Sequence, residues 1–344
     1  MYSEILYNKH KYPLLFHIYS GDIFTFCIKY EIINKDKVGD NMFSYEGLEK
    51  LLVKNNITKS KLGTILGISS RTIAKIGKGE KISRLVIEKI CNYFSCTADD
   101  VCKEISDNPI LQILREEKEN KISGGLYHEL QVRMTYNSNH IEGSRLSQDQ
   151  TRMIFETNTI EVTNGVPVDD ILETVHHFKA IDYCIDVAEE TLTEDIIKKL
   201  HYILKHDTRD SALSWFSVGE YKQRANVVGG RETAKPKEVA EKIRKLLNDY
   251  NSKPEITIND IVEFHYNFEK IHPFQDGNGR VGRLIAFKEC LKHNIIPFII
   301  EDSKKIYYYR GLSEWENEKG FLTETCLDGQ DTFIELLNMF DIEC

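Results

Sequence analysis

The chain has no run of eighteen apolar residues, no framework of paired cysteines, no internal repeat and little strand signal. Each absence excludes something. A membrane-spanning helix needs roughly 20 consecutive apolar residues, and the most apolar early stretch, PLLFHIYSGDIFTFCIKYEII, is broken by His17, Asp22 and Lys29. The first residues lack a basic segment leading into an apolar one with a small-residue cleavage site, so no secretory leader is expected and the expected location is cytoplasmic. Cys27, Cys91, Cys96, Cys102, Cys184, Cys290, Cys326 and Cys344 show no disulfide spacing and read as reduced thiols. A zinc site from Cys91, Cys96 and Cys102 is disfavoured because the usual CxxC pairs are missing.

What is present is 344 residues with an ordinary 41 % apolar share, enough for two or three domains. A formal net charge of −9 argues against a chain that coats nucleic acid along its whole length. The charge is segregated, however. Residues 42–103 carry eleven Lys or Arg against six Asp or Glu, about +5, which leaves about −14 for the remainder.

Residues 1–41 permit a strand or two, or a simple extension, and no function is placed on them. From Tyr45 to Val101 the spacing predicts four or five short helices. Leu48, Leu51 and Leu52 give the three-four spacing of a buried face, and Thr58 is placed to cap KSKLGTILG, which Gly67 ends. Ser69 or Ser70 caps RTIAKIGKG, where Ile73 and Ile76 turn inward and Arg71, Thr72 and Lys75 turn out. This is a helix-turn-helix, and the stretch NITKSKLGTILGISSRTIAKIGKGEKISRLVIEKICNYFSCTADDV resembles the Cro-like (XRE) phage-repressor family. The resemblance implies double-stranded DNA as a partner of residues 42–103. Ser69, Ser70, Arg71, Thr72 and Lys75 would face the major groove, and Lys59, Lys61, Lys78 and Lys81 the phosphate backbone. A helical bundle used for protein docking is the alternative.

The densest chemistry lies in IHPFQDGNGRVGR, residues 271–283. Helical patterns flank it, so Pro273 and Gly277-Asn278-Gly279 mark a loop feeding a helix N-terminus. Glycines let the backbone approach closely, and unpaired N–H groups and the helix dipole favour an anion. Arg280 and Arg283 stand three apart on the first turn and can reach phosphate oxygens in one site. Asp276 is placed to hold Mg²⁺ with phosphate oxygens, and His272 to take a proton from an attacking hydroxyl. Phe274 is expected to anchor the loop in the core. HPFQDGNGRVGR fits the Fic family signature HxFx(D/E)GNGRxxR at every defined position, and the chain is identified by that resemblance as a Fic (Fido) protein.

The resemblance implies an all-α Fic domain that transfers AMP from ATP to a Ser, Thr or Tyr hydroxyl of a target protein. His272 would be the general base and Asp276 the Mg²⁺ ligand. Gly277, Asn278, Gly279 and Arg280 would cradle the α and β phosphates, and Arg283 the γ phosphate. GEYKQRANVVGGRETAKP resembles the family's flap, a hairpin with Val227, Val228, Gly229 and Gly230 at its tip, whose edge pairs with a target segment. Tyr307, Tyr308 and Tyr309 are candidates to flank the nucleotide base, with core or surface packing as the alternative.

NSNHIEGSR, residues 137–145, matches the family's inhibitory pattern (S/T)xxxE(G/N) at Ser138, Glu142 and Gly143. It implies a helix at about 130–145 whose glutamate pairs with Arg283 and keeps that arginine from the γ phosphate. The expected division is a 1–41 extension, a 42–103 helix-turn-helix, a 104–192 connector with the inhibitory helix, a 193–331 Fic core and a 332–344 tail. The expected function is an autoinhibited protein AMP transferase that also binds DNA. A regulator whose Fic-like domain senses nucleotide, and net removal of AMP from a modified protein, stay open as alternatives. So does a homodimer; a membrane partner does not.

Overall fold

The computed structural model describes residues 43–342 except 99, 105–107 and 162–164; the reading of residues 1–41 lies outside them. Fourteen α-helices and two short antiparallel ladders make up the regular structure of the described residues, the all-α architecture expected.

Four of the helices form the small basic module: α1 (Glu46–Lys54), α2 (Lys59–Leu66), α3 (Ser70–Gly77) and α4 (Arg84–Phe94). The capping signals are realised locally. Thr58 Oγ1 accepts from the Lys61 N–H at 3.2 Å, Ser69 Oγ accepts from the Thr72 N–H at 3.2 Å, and Gly67 ends α2 in the left-handed conformation at φ 63°. Leu48, Leu52, Leu62, Ile76, Ile90 and Val101 form its core. A ladder the sequence did not announce closes it: β1 (Phe43–Ser44) pairs with β2 (Lys103–Glu104) and brings the two ends of the module together.

A second, larger core is built by α5 (Pro109–Asn120), α6 (Leu126–Ile141), α8 (Val168–Asp186), α9 (Glu194–Lys205), α10 (Pro236–Asn251), α11 (Ile258–Ile271), α12 (Asn278–Lys292), α13 (Lys305–Glu314) and α14 (Gly320–Asn338). The short α7 (Gln148–Thr157) packs on α6 and α8. Two expected boundaries differ from this arrangement. Residues of the 104–192 connector share the same apolar core, and residues 332–338 continue α14, burying Phe333, Leu336 and Leu337.

The helix after the glycine loop has no solvent-facing side: α12 packs against α11, α8, α9 and α6, and every residue from Arg280 to Leu291 is buried. Its polar residues must therefore be satisfied inside the protein. Lys288 and Glu289 pair at 2.7 Å, and Lys288 also donates to the Glu190 carbonyl. Removing one member of a buried pair leaves an uncompensated charge. Lys288→Ala is expected to cost about 3–5 kcal/mol of stability, read as a lower denaturation midpoint, whereas Lys288→Met with Glu289→Leu recovers much of the loss.

Candidate active site

The loop between α11 and α12 is shaped by its own residues. α11 ends on His272, whose backbone is left-handed (φ 52°, ψ 66°) while its N–H still donates to the Phe268 carbonyl at 2.9 Å. Such a conformation is unfavourable for a side-chain-bearing residue, and neighbouring bonds hold it. The Pro273 carbonyl accepts from the Lys222 N–H at 2.9 Å, and the Ile271 carbonyl from the Ala234 N–H at 3.3 Å. Phe274 is fully buried as expected and stacks on His201 with ring centroids 3.9 Å apart.

Asn278 closes the loop. Its Oδ1 accepts from the Phe274 N–H at 2.8 Å and its Nδ2 donates to the Phe274 carbonyl at 2.9 Å. Both polar ends of its side chain are bonded within the loop, which leaves its backbone N–H for the expected phosphate cradle. Gly277 caps α12 at φ 80°, a conformation that favours glycine. The first N–H groups of α12 lack intrahelical partners and the helix dipole adds positive potential, so an anion belongs there.

The Glu142 carboxylate lies against this first turn. A Cβ on Gly279 would collide with the Glu142 carboxylate and come within 3.1 Å of Arg283 Nη1. Glu142 is the C-cap of α6, and Gly143 follows in a turn at φ 101°. Arg283 donates from Nη2 to Glu142 Oε1 at 2.7 Å and to the Ser138 carbonyl at 2.9 Å, and from Nε to Ser138 Oγ at 3.0 Å. Burial opposes the guanidinium charge, but Glu142 and Tyr308 outweigh it and hold Arg283 above the ordinary arginine value. Ser138, Glu142 and Arg283 thus meet at one ion pair, while Gly143 shapes the turn.

Arg280 has other partners. It pairs with Glu173 and donates to Asp276 Oδ2 at 3.5 Å, while Lys205 Nζ donates to Glu173 Oε1 at 2.5 Å and Asp276 Oδ2 at 2.6 Å. Two carboxylates and two cations balance. Burial alone would raise the Asp276 carboxyl, but Arg280 and Lys205 outweigh it and hold it well below the usual carboxylate range. The side chain is half exposed, so an ionised carboxylate faces out beside the helix N-terminus.

Burial, then the Lys222 ammonium, pulls the His272 imidazole down to about 4 against the opposing pull of Asp276 and Glu142. At neutral pH it is the uncharged form, the one that accepts a proton. Burial also lowers Lys222 to about 8. Its ammonium donates to Asn226 Oδ1 at 2.8 Å and Thr233 Oγ1 at 2.6 Å, tying the feet of the flap. The flap pairs β3 (Val227–Val228) with β4 (Arg231–Glu232) across Gly229 and Gly230, at φ 56° and 78°. Two consecutive left-handed residues are what a tight two-residue hairpin requires. Val227 and Val228 are 62 % and 47 % exposed, so the flap offers an apolar strand to solvent.

Glu173, Lys205, Lys222 and His201 were missed by sequence reasoning because each comes from a helix or hairpin with no local motif. The three tyrosines separate: Tyr307 is exposed, Tyr308 is buried with its Oη 3.4 Å from Arg283 Nη1, and Tyr309 Oη donates to the Ile141 carbonyl at 3.1 Å. On α3, Ser70 and Arg71 are exposed. Ser69 and Thr72 share a hydroxyl–hydroxyl bond at 2.9 Å within the cap, and Lys75 lies 3.7 Å from Glu80. Of the four expected backbone lysines, Lys59 pairs with Glu49 at 2.5 Å and Lys81 lies 5.6 Å from the Phe43 ring centroid, whereas Lys61 and Lys78 are exposed.

Comparison with known proteins gives matches in both parts of the chain. Residues 191–289 match the Fic/DOC family model and residues 47–107 the model of the Cro/C1-type HTH DNA-binding domain. The protein adenylyltransferase Fic of Drosophila mojavensis is 27 % identical over 136 residues, 37 % of this chain and 27 % of the relative; that of Drosophila ananassae is 28 % identical over the same length. The chain therefore spans about a quarter of the curated relatives it matches. Among solved structures, a Fic domain containing signaling protein from Bacteroides thetaiotaomicron superposes with a TM-score of 0.51 at 24 % identity, covering 67 % of this chain and 90 % of the other. Fic-1 from C. elegans gives a TM-score of 0.53 at 18 % identity, covering 67 % and 71 %. The chain carries a Fic/DOC family domain at residues 191–289, joined to a Cro/C1-type helix-turn-helix domain at residues 47–107.

Proposed function

We propose that the chain is an autoinhibited protein AMP transferase that uses ATP and Mg²⁺ and also binds double-stranded DNA. The observation that carries the reading is the Glu142 carboxylate lying on the first turn of α12, ion-paired to Arg283, where a phosphate would otherwise lie.

In the active form a target hydroxyl, positioned by pairing of its segment with the Val227–Val228 edge of the flap, loses its proton to His272. The hydroxyl oxygen bonds to the α phosphorus, and the bond to the β-phosphate oxygen breaks to release pyrophosphate. The N–H groups of Gly277, Asn278 and Gly279, with Arg280, hold the α and β phosphates, and Arg283 holds the γ phosphate. Asp276 fits a magnesium ion: it is ionised, half exposed and beside the phosphate cradle, and magnesium favours one or two carboxylates plus phosphate oxygens. Bound there, the ion neutralises phosphate charge. Glu142 keeps Arg283 from the γ phosphate and sets a like charge against the nucleotide, so ATP enters poorly aligned for attack.

A charge-assisted hydrogen bond contributes about 1.5–3 kcal/mol, roughly ten- to a hundredfold in occupancy. With α-labelled ATP, Glu142→Gly should therefore transfer label at least tenfold faster than wild type, and adding His272→Ala should abolish transfer; an equally silent Glu142→Gly protein contradicts the brake. Only the neutral imidazole accepts a proton, and its value of about 4 places the acid limb of kcat/KM well below the pH 6.5 of an ordinary histidine. A limb at 6.5 would contradict the depression of His272 by burial, whereas transfer that survives His272→Ala would remove it as the base.

For the helix-turn-helix, the local excess of Lys and Arg and the exposed Arg71, Ser70, Lys61 and Lys78 support DNA contact. Retention of promoter DNA in a gel-shift should weaken steeply with salt as phosphate contacts are screened. No retention at low salt would assign the module to protein docking.

A further inference from the structure

Arg283 has five N–H groups. Three bonds from them go to Ser138 and Tyr308, and one to Glu142. Loss of Glu142 thus leaves one N–H on each terminal nitrogen for a phosphate, the fork that grips it bidentately. The arginine need not move; the glutamate does.

Tyr308 is the clamp that does not belong to the inhibitory helix. Its buried phenol has two hydrogen-bond neighbours among the described residues, Arg283 Nη1 at 3.4 Å and His265 Nε2 at 2.8 Å. Arginine only donates, so the phenol oxygen accepts from it and the phenol proton goes to His265 Nε2. His265 then carries its own proton on Nδ1. A Cβ on Gly282 would lie 2.9 Å from His265 Nδ1 and 2.5 Å from Glu269 Oε1, so both atoms border the hollow left by the missing side chain. His265 Nδ1 and Glu269 Oε1 are both buried and without a hydrogen-bond partner among the described residues, and the Gly282 carbonyl lies beside the ring.

We infer that Tyr308 and His265 form a buried hydrogen-bond relay, which Glu269 closes from across the hollow, and that this relay keeps Arg283 in its phosphate-facing pose when Glu142 leaves. Tyr308 is thereby a positioning residue for the nucleotide. The relay carries no net charge. Burial and then the Arg283 charge pull His265 down to about 3, and burial together with the Glu142 charge pushes Glu269 up to about 8, so both are neutral at pH 7. The inference rests on the AMP-transfer reading only for the identity of the ligand.

Two measurements test it on the full chain. Ring-nitrogen NMR with labelled histidine should find His265 neutral at pH 6 with its proton on Nδ1, and Tyr308→Phe should move proton population to Nε2. A wild-type proton on Nε2 overturns the relay, whatever the enzyme does. In the Glu142→Gly background, Tyr308→Phe should raise KM for ATP about five- to tenfold while kcat stays within about twofold, the effect of one lost hydrogen bond to a charged group. An unchanged KM overturns the positioning role. Glu269→Gln keeps a carbonyl acceptor and should preserve both readouts; Glu269→Leu should shift both, and a Leu variant identical to wild type removes Glu269 from the relay. If Glu142→Gly transfers no label at all, the AMP-transfer reading fails while the tautomer result still decides the relay.

Discussion

A guanidinium buried in a helical bundle needs an anion, and in this chain Glu142 supplies it to Arg283. The rest of the site is arranged around that requirement. α12 is enclosed on all sides, so its arginines cannot turn to water, and each must be matched by a residue from another helix. Arg280 is matched by Glu173 and Asp276, in a charge-balanced group that includes Lys205. Arg283 is matched by one carboxylate at the end of α6, and that carboxylate is 30 % exposed. A partner at the surface is the one that an incoming phosphate can replace.

The two arginines of one motif thus divide between different tasks. Arg280 sits in a group whose four charges cancel, and it helps keep Asp276 ionised beside the loop. Arg283 is held by Ser138 on one side and by Tyr308 on the other, with Glu142 as its carboxylate partner. Below them Asn278 ties the loop through Phe274, and the flap is tied to the same loop through the Pro273 and Ile271 carbonyls. The left-handed backbone at His272 is therefore supported from both directions.

Much of this was legible locally. Thr58, Ser69 and Gly67 mark their helix ends as capping chemistry requires, and HPFQDGNGR announces its loop and the start of the next helix through glycine placement. Glu142 was legible only through resemblance, because a glutamate at a helix end carries no signal of the arginine it meets 141 residues later. Lys205, Glu173 and Lys222 were invisible for the same reason. The burial of α12 on every side was not legible, because a helix without an exposed face has no amphipathic period to detect. Nor can local sequence show that both polar ends of the Asn278 amide are bonded to Phe274.

The central claim is that the charge of Glu142 holds the site closed. Glu142→Gln keeps the shape and removes the charge. The initial rate of label transfer from α-labelled ATP should rise at least tenfold over wild type in this variant, as one charge-assisted bond and one like-charge repulsion are lost. A rate equal to wild type would contradict the account.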